Sequence, residues 1–545
     1  MRVVRRRLGF GGTLLAALFF CASLTPTLLP RPWVMQGLMG ALAAAIGYAV
    51  GASAGALGRA LIPYRLPERG RVPAWRVMLA GCALLTVLAL GYSLGWQQDL
   101  RQLMGMDTAI TWFPPAILGL SALLFAAMLM AARLVRLGGR TLVRWLDRYV
   151  PVIVAQVTGV LVVACAVGVL ASDVLFSGFV NVMNDASSVT NGTTDPGVAR
   201  PASPKVSGGP RSLVSWDTLG REGRTFAGTA VPVARLSAFS GALARQPIRV
   251  YVGLDSAGSP AQQAALAVRE LERTGAFDRA VLAVLGTTGT GWVDENISDS
   301  LEYMYNGDTA LVAMQYSYLP SWLSFLVDRG KAARAGAALF DAVRARWERA
   351  PQGRRPKLVV SGESLGSFQL ENAFDDLPDL VRQTDGALFV GPPDANPIWR
   401  TLTSGRDPGS PVWRPVYQRG ATVRFGQYPE DLTRPGTTWN HPRVVYLQNA
   451  SDPVVWWSPR LIYARPEWLA APRGPDLNPE MDWFPLVTFW QVLGDMSVGL
   501  DVPPGHGHVY GAGVVEGWAA VAAPRGWSAY DTARLHTLIS ARPDQ

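Results

Sequence analysis

The stretch KLVVSGESLGSFQLENAF, residues 357–374, joins a run of β-branched and apolar residues to a helical segment through the pattern G-x-S-x-G at 362–366. The same pattern occurs twice more, as GASAG at 51–55 and GYSLG at 91–95, inside long apolar stretches without strand or turn signals. On a sharp strand-to-helix turn the pattern lifts a serine hydroxyl clear of a sheet, because its glycines permit close backbone approach. We therefore predict that Ser364 is a catalytic nucleophile; the alternative is an ordinary serine at a helix start.

Apolar runs alternate with helical segments from about residue 245 onward. Six runs have the length and composition of buried strands: 248–254, 279–286, 309–317, 357–362, 386–392 and 443–449. Helical patterns, such as those at 260–275 and 330–349, lie between them. Strands that alternate with helices predict a mostly parallel sheet that is covered on both faces.

A nucleophilic serine needs a base that takes its proton and a third group that orients the base. Around a G-x-S-x-G turn, the acid and the histidine follow the serine in that order. Asp452 comes directly after the run 443–449, and we predict that it is the acid. The base must come from PPGHGHVYG, residues 503–511, where two glycines flank His506; we favour His506 and keep His508 as the alternative.

The remaining acids and histidines of this region fit other roles. None of the later acids follows so clear a strand, and we expect solvated charges at Asp482, Asp495 and Asp501. His441 precedes the acid, and His536 lies in an amphipathic terminal segment where a surface role is expected.

The oxyanion of an acyl-transfer intermediate needs two backbone N–H donors. The first should be the amide of Leu365, immediately after the nucleophile. The second should come from the loop TTGTGW, residues 287–292, and we select Thr288 and Gly289. The alternative, a phosphate-binding loop, lacks the G-x-x-x-x-G-K-[ST] pattern and a nearby lysine.

Aromatic residues are frequent between Asp452 and the histidines. They are Trp456, Trp457, Tyr463, Trp468, Trp483, Phe484, Phe489 and Trp490. Core packing with a cap over the sheet explains them, and so does an apolar acyl-binding pocket or lid; the sequence leaves both open.

The first third of the chain is strongly apolar. Five stretches have a length near the roughly 20 helical residues that cross a bilayer. They lie at about 8–29, 33–57, 76–96, 113–135 and 151–176. The first lacks a small-x-small cleavage site and is followed by four more, so we expect an uncleaved membrane helix.

Arginine marks one side of these helices. Residues 1–180 contain 16 arginines and five acids, and the arginines concentrate before the first span, between the second and third, and between the fourth and fifth. Loops rich in positive charge remain in the cytoplasm. With five spans, the remainder of the chain then lies outside the cytoplasmic membrane, and the localisation expected is a multi-pass bacterial inner-membrane protein.

Residues 185–210 are rich in Ser, Thr, Gly, Pro and Asn, which is the composition of a linker. The expected organisation is therefore a transmembrane helical domain at 1–180, a linker at 181–215 and an α/β domain at 216–545.

Composition argues against several classes of protein. The net charge of +9 resides in the apolar third, while residues 181–545 carry 34 basic and 36 acidic groups, so nucleic-acid binding is not expected. No cysteine lies beyond Cys165, which argues against disulfides and a structural zinc site there. The proposed chemistry requires no metal or cofactor.

Several motifs together resemble a bacterial family of membrane-anchored α/β-hydrolases that has an N-terminal multi-span region and is largely uncharacterised. They are SLTPTLLPR (23–31), GTGWVD (289–294), GESLGS (362–367), SDPVVWW (451–457) and GHGHVYG (505–511), and they extend over nearly the whole chain. The resemblance implies an N-terminal all-α transmembrane bundle of about five helices, followed by an α/β-hydrolase domain. It implies the triad but no particular substrate.

Together these features predict a membrane-anchored serine hydrolase that acts on an ester or thioester, with lipid-type substrates and the bilayer as its partners. The alternative is a non-catalytic lipid- or envelope-binding module that retains a hydrolase fold. The oligomeric state is not addressed by the sequence.

Overall fold

The computed structural model describes residues 8–61, 68–146, 148–149 and 177–542. Its chain forms two compact units. The N-terminal unit comprises Met1–Asn181, Trp457–Ala470 and Asp476–Asp501, and the α/β unit comprises Val182–Trp456, Ala471–Pro475 and Val502–Gln545. A late segment of the chain therefore belongs to the N-terminal unit.

The described α-helices are α1 (Phe10–Ser23), α2 (Trp33–Leu61), α3 (Glu68–Leu103), α4 (Pro114–Leu146), α5 (Ser177–Asn191), α6 (Gly220–Gly228), α7 (Val233–Ser240), α8 (Pro260–Thr274), α9 (Glu295–Met304), α10 (Ser321–Val327), α11 (Arg329–Glu348), α12 (Leu365–Glu371), α13 (Leu377–Gln383), α14 (Pro397–Ser404), α15 (Pro453–Trp456), α16 (Val487–Asp495), α17 (Gly513–Ala522) and α18 (Ala529–Ser540). The strands are β1 (Ile248–Val252), β2 (Val281–Gly286), β3 (Thr309–Met314), β4 (Lys357–Glu363), β5 (Gly386–Val390), β6 (Val423–Gly426) and β7 (Arg443–Leu447).

Three helices in the described part of the chain, α2, α3 and α4, are long and apolar enough to span a membrane. The expectation of a span at 8–29 is wrong in its extent, because α1 has 14 residues and ends at Ser23. A helix of that length is about 21 Å long, which is shorter than a bilayer core. Pro26 and Pro30 oppose its continuation. The span expected at 151–176 lies outside the described residues.

Small residues bring the N-terminal helices together. A Cβ on Gly51 would lie 2.2 Å from the carbonyl oxygen of Gly11, and one on Gly47 would lie 2.3 Å from that of Leu15. The start of α1 is therefore beside the second half of α2, and the two helices are antiparallel. Small residues permit such approach between membrane helices.

The arginines of the N-terminal helices are concentrated at one end of the unit. The hydroxyl of Ser121, near the start of α4, donates to the carbonyl oxygen of Gly37, near the start of α2 (2.8 Å). Gln97, near the end of α3, accepts from the amide of Arg31 (2.8 Å). The end of α2, the start of α3 and the end of α4 consequently share the other end of the unit. The described arginines at that end are Arg59, Arg71, Arg76, Arg133, Arg136, Arg140, Arg144 and Arg148.

The α/β unit contains a seven-stranded sheet in the order β1-β3-β2-β4-β5-β7-β6, and every neighbouring pair is parallel. Its central strands are fully buried. All six strands expected from the sequence are present. The seventh, β6, has four residues and completes the edge beside β7.

Part of the segment expected to be a linker packs against this sheet. Helix α5 extends to Asn191. Further along, the amide of Ser207 donates to the carbonyl oxygen of Arg249 in β1 (2.9 Å), and the Ser207 hydroxyl accepts from the amide of Tyr251 (3.0 Å). Residues around Ser207 therefore cover the outer edge of β1.

Candidate active site

Ser364 stands between β4 and α12 in a strained backbone conformation, with φ 53° and ψ −125°. A residue with a side chain rarely adopts a positive φ, and such strain is often found at functional sites. The surrounding glycines are sterically required: a Cβ on Gly362 would lie 2.3 Å from the carbonyl carbon of Gly366. A Cβ on Gly366 would in turn lie 2.5 Å from the carbonyl oxygen of Gly286 at the end of β2. This geometry is the strand-to-helix turn that the motif predicts.

The contact between Gly366 and Gly286 brings the loop after β2 beside the serine turn. The two amides at the start of this loop are engaged within the protein: Thr287 N donates to Gln369 Oε1 (2.6 Å), and Thr288 N donates to the carbonyl oxygen of Trp292 (2.9 Å). The Thr288 amide is thus occupied in this conformation, which argues against Thr288 as an oxyanion donor. The amides of Leu365 and Gly289 remain the proposed pair.

Asp452 lies just after β7, where the carboxyl ends of the parallel strands meet. Its side chain is fully buried. Oδ1 accepts from the amide of Val454 (2.8 Å), which fixes the carboxylate at the start of α15. Oδ2 lies 2.7 Å from Nδ1 of His508 and accepts from the hydroxyl of Tyr510 (2.7 Å). The sequence predicts Asp452 as the acid but indicates no role for Tyr510, although Tyr510 lies in the GHGHVYG motif.

The imidazole ring of His508 contacts the carboxylate of Asp452, whereas the sequence pattern favours His506. Its Nε2 is buried and makes no hydrogen bond within the described residues. An imidazole held through Nδ1 by a carboxylate presents Nε2 to an incoming proton. The half-buried His506 lies at the other side of a tight turn, with its carbonyl oxygen accepting from Val509 N (3.1 Å).

The loop that contains His508 is hydrogen-bonded to the loop that contains Asp452. Asn449 Nδ2 donates to the carbonyl oxygen of Gly507 (2.9 Å), and Gly507 N donates to the hydroxyl of Ser451 (2.9 Å). Gln427, just after β6, donates to the carbonyl oxygen of Gly505 (3.0 Å). The short strand β6, which the sequence did not reveal, therefore helps to position the loop of His508.

Ser364 and His508 each lie beside the end of β5. The amide of Ser364 donates to the carbonyl oxygen of Val390 (2.9 Å). The next residue, Gly391, has φ 53°, and a Cβ there would lie 2.6 Å from Cε1 of His508 and 2.9 Å from the Tyr510 ring. Only glycine lets the imidazole lie this close to the backbone.

Gly391→Ala is expected to displace the His508 ring and to lower kcat/KM by about 10²-fold, since a misplacement near 1 Å can have this effect. Gly409→Ala is the matched control: Gly409 also has a positive φ, of 85°, but nothing lies within 4 Å of its added Cβ. Kinetics with a soluble ester measure the loss of activity, and thermal unfolding of the same variants measures any loss of stability. Equal activity losses in both variants would contradict the assigned contact.

Two further carboxyl groups form a buried pair that includes the residue before Ser364. Glu363, directly before Ser364, is buried and hydrogen-bonded to the buried Asp294, which also caps α9 through Asn296 N (2.7 Å). Two carboxyl groups share a hydrogen bond only when one is protonated. Burial, then the adjacent Asp294 and the charge of Asp452, raise the pKa of Glu363 well above its usual value. Burial likewise raises the pKa of Asp294.

Glu363→Gln is expected to reduce the loss of stability on going from pH 5 to pH 8. In the wild type the folded protein holds this proton while the unfolded chain releases it above its usual pKa of about 4.3, so stability falls as pH rises toward the raised folded pKa. The loss is about 1.4 kcal/mol for each pH unit in that window. The neutral amide does not titrate.

Thermal unfolding of both proteins at several pH values provides the measurement, and the difference in Tm (variant minus wild type) should increase with pH. Glu430→Gln, at an exposed position, is the control and should show a constant difference. A constant difference for Glu363→Gln as well would show that Glu363 is ionised throughout.

The other candidate groups lie elsewhere. His441 is exposed before β7, and Nδ1 of His536 pairs with Glu516 Oε1 (2.8 Å) in the terminal helices, in agreement with the expected surface role. Asp482 and Asp501 are exposed, as expected. Asp495 is fully buried, so the expectation of a solvated charge there is wrong.

Comparison with family models gives two matches. A model described as "Alpha/beta-hydrolase family" matches residues 248–535, and one described as "Alpha/beta-hydrolase family N-terminus" matches residues 24–230. The first match contains the sheet, the serine turn and the loops of Asp452 and His508. Searches of curated proteins and of solved structures found no significant match.

Proposed function

We propose that this chain, which belongs to the alpha/beta-hydrolase family, is a membrane-anchored serine hydrolase that cleaves a carboxylic ester or thioester. One observation carries the proposal. A buried Asp452–His508 pair and the strained Ser364 turn both lie at the carboxyl ends of the parallel strands, and Nε2 of His508 has no hydrogen-bond partner in the described chain. A Ser-His-Asp arrangement on this fold performs acyl transfer.

In the proposed mechanism, Ser364 Oγ attacks the carbonyl carbon of the substrate while Nε2 of His508 accepts its proton. Asp452 stabilises the resulting imidazolium through Nδ1, and the hydroxyl of Tyr510 holds the carboxylate in place. The imidazolium returns the proton to the leaving alcohol or thiol, which departs and leaves an acyl-enzyme. Water, deprotonated by the same nitrogen, then releases the acid and restores Ser364.

The negative charge of each tetrahedral intermediate forms on the former carbonyl oxygen. The amide of Leu365, at the start of α12, supplies one donor, and the positive end of that helix favours the charge. Gly289 supplies the second. A Cβ on Gly289 would lie 2.5 Å from the carbonyl oxygen of Leu319, so this loop tolerates no larger residue without moving.

The test of the proposal is covalent labelling of the full-length protein by a fluorophosphonate, which reacts with an activated serine. We expect one adduct, located on Ser364 by peptide mass spectrometry, and no adduct after heat denaturation. A folded protein that does not label would favour the alternative of a non-catalytic binding module.

We also propose that the α/β unit faces outside the cytoplasmic membrane. The arginine-rich helix ends share one end of the N-terminal unit, and such ends remain in the cytoplasm. The late segment of that unit contacts the turn between α1 and α2, at the opposite end. The chain continues from this segment into the α/β unit at Val502, and we infer an external position for both from this connectivity.

Alkaline phosphatase fused after Asp185 should be active in this orientation, and a fluorescent protein that folds only in the cytoplasm should be dark there. A bright fluorescent fusion would assign the hydrolase to the cytoplasm.

A further inference from the structure

The peptide group that follows Ser364 takes part in two interactions of the α/β unit. Its N–H belongs to Leu365 and is the first proposed oxyanion donor, and its carbonyl oxygen belongs to Ser364. A peptide group is planar, so a contact that holds the carbonyl oxygen also directs the N–H. Ser367 Oγ donates to this carbonyl oxygen (2.6 Å), and so does Ser367 N (3.0 Å). The side chain of Ser367 therefore helps to orient the oxyanion donor.

A buried chain of polar side chains continues from Ser367. Its hydroxyl has one proton, which the carbonyl oxygen of Ser364 accepts, so the hydroxyl acts as the acceptor for Asn396 Nδ2 at 3.2 Å. The second proton of Nδ2 goes to Oε2 of Glu371 (2.6 Å), while Oε1 of Glu371 accepts from the amide of Trp399 (2.7 Å). Ser367, Glu371 and Asn396 are fully buried. Both carboxyl oxygens of Glu371 accept, which is the arrangement that an ionised carboxylate requires.

The charge of Glu371 is sensitive to pH near neutrality. Glu371 is the last residue of α12, and the carboxyl end of a helix disfavours a negative charge. Burial raises the pKa of Glu371 to about 7, although its hydrogen-bond donors oppose this rise. The ionisable side chain that faces it from β7 is Tyr446, which stays neutral because burial raises its pKa well above the usual value.

The amide of Asn396 has a second possible arrangement. Its Oδ1 is buried and makes no hydrogen bond within the described part of the chain, whereas buried acceptors in proteins normally have a partner. A protonated Glu371 would donate an O–H, and Nδ2 could not remain opposite that donor. A half-turn of the amide would bring Oδ1 there instead, where it could accept from Glu371 and from the hydroxyl of Ser367. The proton of Ser367 would then leave the carbonyl oxygen of Ser364.

We propose that Glu371, Asn396 and Ser367 are positioning residues for the Leu365 oxyanion donor, and that a proton taken up from solvent by Glu371 reverses this hydrogen-bond chain and lowers activity. The inference rests on the proposed hydrolase function and adds a means of regulating the same site. None of the three side chains contacts the reacting atoms; each acts through the peptide group between Ser364 and Leu365.

The test compares the full-length wild type with Glu371→Gln, using a soluble ester from about pH 5.5 to about pH 8.5. Glutamine has an N–H donor where the protonated carboxyl group would have its O–H, so the variant resembles the protonated state at every pH. Turnover by the wild type should exceed that of the variant about tenfold at the highest pH, since a weakened oxyanion donor costs less than the 10²-fold or more of a deleted one. The ratio should fall toward one at the lowest pH, with its midpoint near the pKa of Glu371.

The difference should lie in kcat rather than KM, because an oxyanion donor acts in the transition state. Protonation of His508 lowers the activity of both proteins, so it cancels in the ratio. A purely structural role of Glu371 would instead give the same ratio at every pH.

Ser367→Ala is a second variant, which keeps the inference testable if Glu371→Gln does not fold. Without this hydroxyl, Glu371 cannot act on the carbonyl oxygen of Ser364, so the ratio of wild type to Ser367→Ala should also increase with pH. Ser361→Ala is the matched control. It removes an equally buried hydroxyl that donates to the carbonyl oxygen of Leu388 (2.6 Å), three residues before the nucleophile, and its ratio should be constant.

A constant ratio for either folded variant would overturn the inference, and so would a ratio for Ser361→Ala that changes with pH in the same way. Fluorophosphonate labelling of the same samples tests the proposed function separately. A labelled wild type with constant ratios rejects only the regulation by Glu371, whereas a folded wild type that does not label rejects the hydrolase itself.

Discussion

Ser364→Ala is expected to abolish ester turnover, with a loss of kcat on the order of 10³-fold or more, since removal of a nucleophile leaves only binding and oxyanion stabilisation. The alanine cannot form the acyl-enzyme, and fluorophosphonate labelling should disappear with the activity. Folding should be retained, because the turn depends on Gly362 and Gly366, whose close contacts involve backbone atoms. Initial rates with a short-chain ester and thermal unfolding are the measurements.

The chain contains its own control for this experiment. Ser53 occupies the centre of another G-x-S-x-G pattern, but it lies within α2 and is exposed. Ser53→Ala should retain wild-type turnover and labelling. Residual labelling of Ser364→Ala at the wild-type rate would show that another residue is the nucleophile.

His508→Ala is expected to reduce kcat on the order of 10³-fold or more, because a general base acts as a unit with the nucleophile. Removal of the ring also leaves Asp452 Oδ2 with the Tyr510 hydroxyl as its remaining described side-chain partner. The buried carboxylate then keeps two of its three described partners, the amide of Val454 and the hydroxyl of Tyr510, so some loss of thermal stability should accompany the loss of turnover.

His506→Ala is the matched control, two residues away in the same loop. It should retain most of the activity if His508 is the base. A comparison of kcat for the two variants, on proteins with the same secondary-structure content, decides between them. Loss of turnover in His506→Ala with retention in His508→Ala would reverse the assignment.

Much of the α/β fold could be predicted because its signals are local. Six strands are short apolar runs, and the turn at Ser364 is encoded by residues next to one another. Strand β6 has four residues, VRFG, too few for a periodic pattern. The extent of α1 was overestimated because the apolar composition continues through residues 24–29, whereas Pro26 and Pro30 oppose a helix.

The choice between the two histidines could not be made from composition. They are separated by Gly507, and the backbone twists through positive φ at Gly505 (88°) and Gly507 (51°), which decides the direction of each ring. Because glycine adopts positive and negative φ with similar ease, the sequence does not specify the value of φ at these two positions. The sequence pattern favoured His506, and the structure instead gives the contact with Asp452 to His508. The triad as a functional unit stays a prediction.

Asp495 illustrates a different limit. Nothing near it in the sequence compensates a buried carboxylate, so a solvated charge was the reasonable expectation. Its partners, Thr27, Leu28 and Arg31, lie at the other end of the chain. Only the fold brings them together.

The path of residues 457–501, which pass from the α/β unit into the N-terminal unit and back, has consequences for limited proteolysis and for recombination of the gene. The chain passes between the two units at residues 181–182, 456–457, 470–471, 475–476 and 501–502. A protease that cleaves after α5 would not release the α/β unit, because residues 457–501 would still contact the N-terminal helices and the turn between α1 and α2 through Gln491 and Asp495. The two fragments would remain a nicked complex. For the same reason, a recombination that joined the α/β unit and residues 457–501 to a different N-terminal region would leave the buried carboxylate of Asp495 without its partners. The two regions are therefore expected to be inherited within one gene.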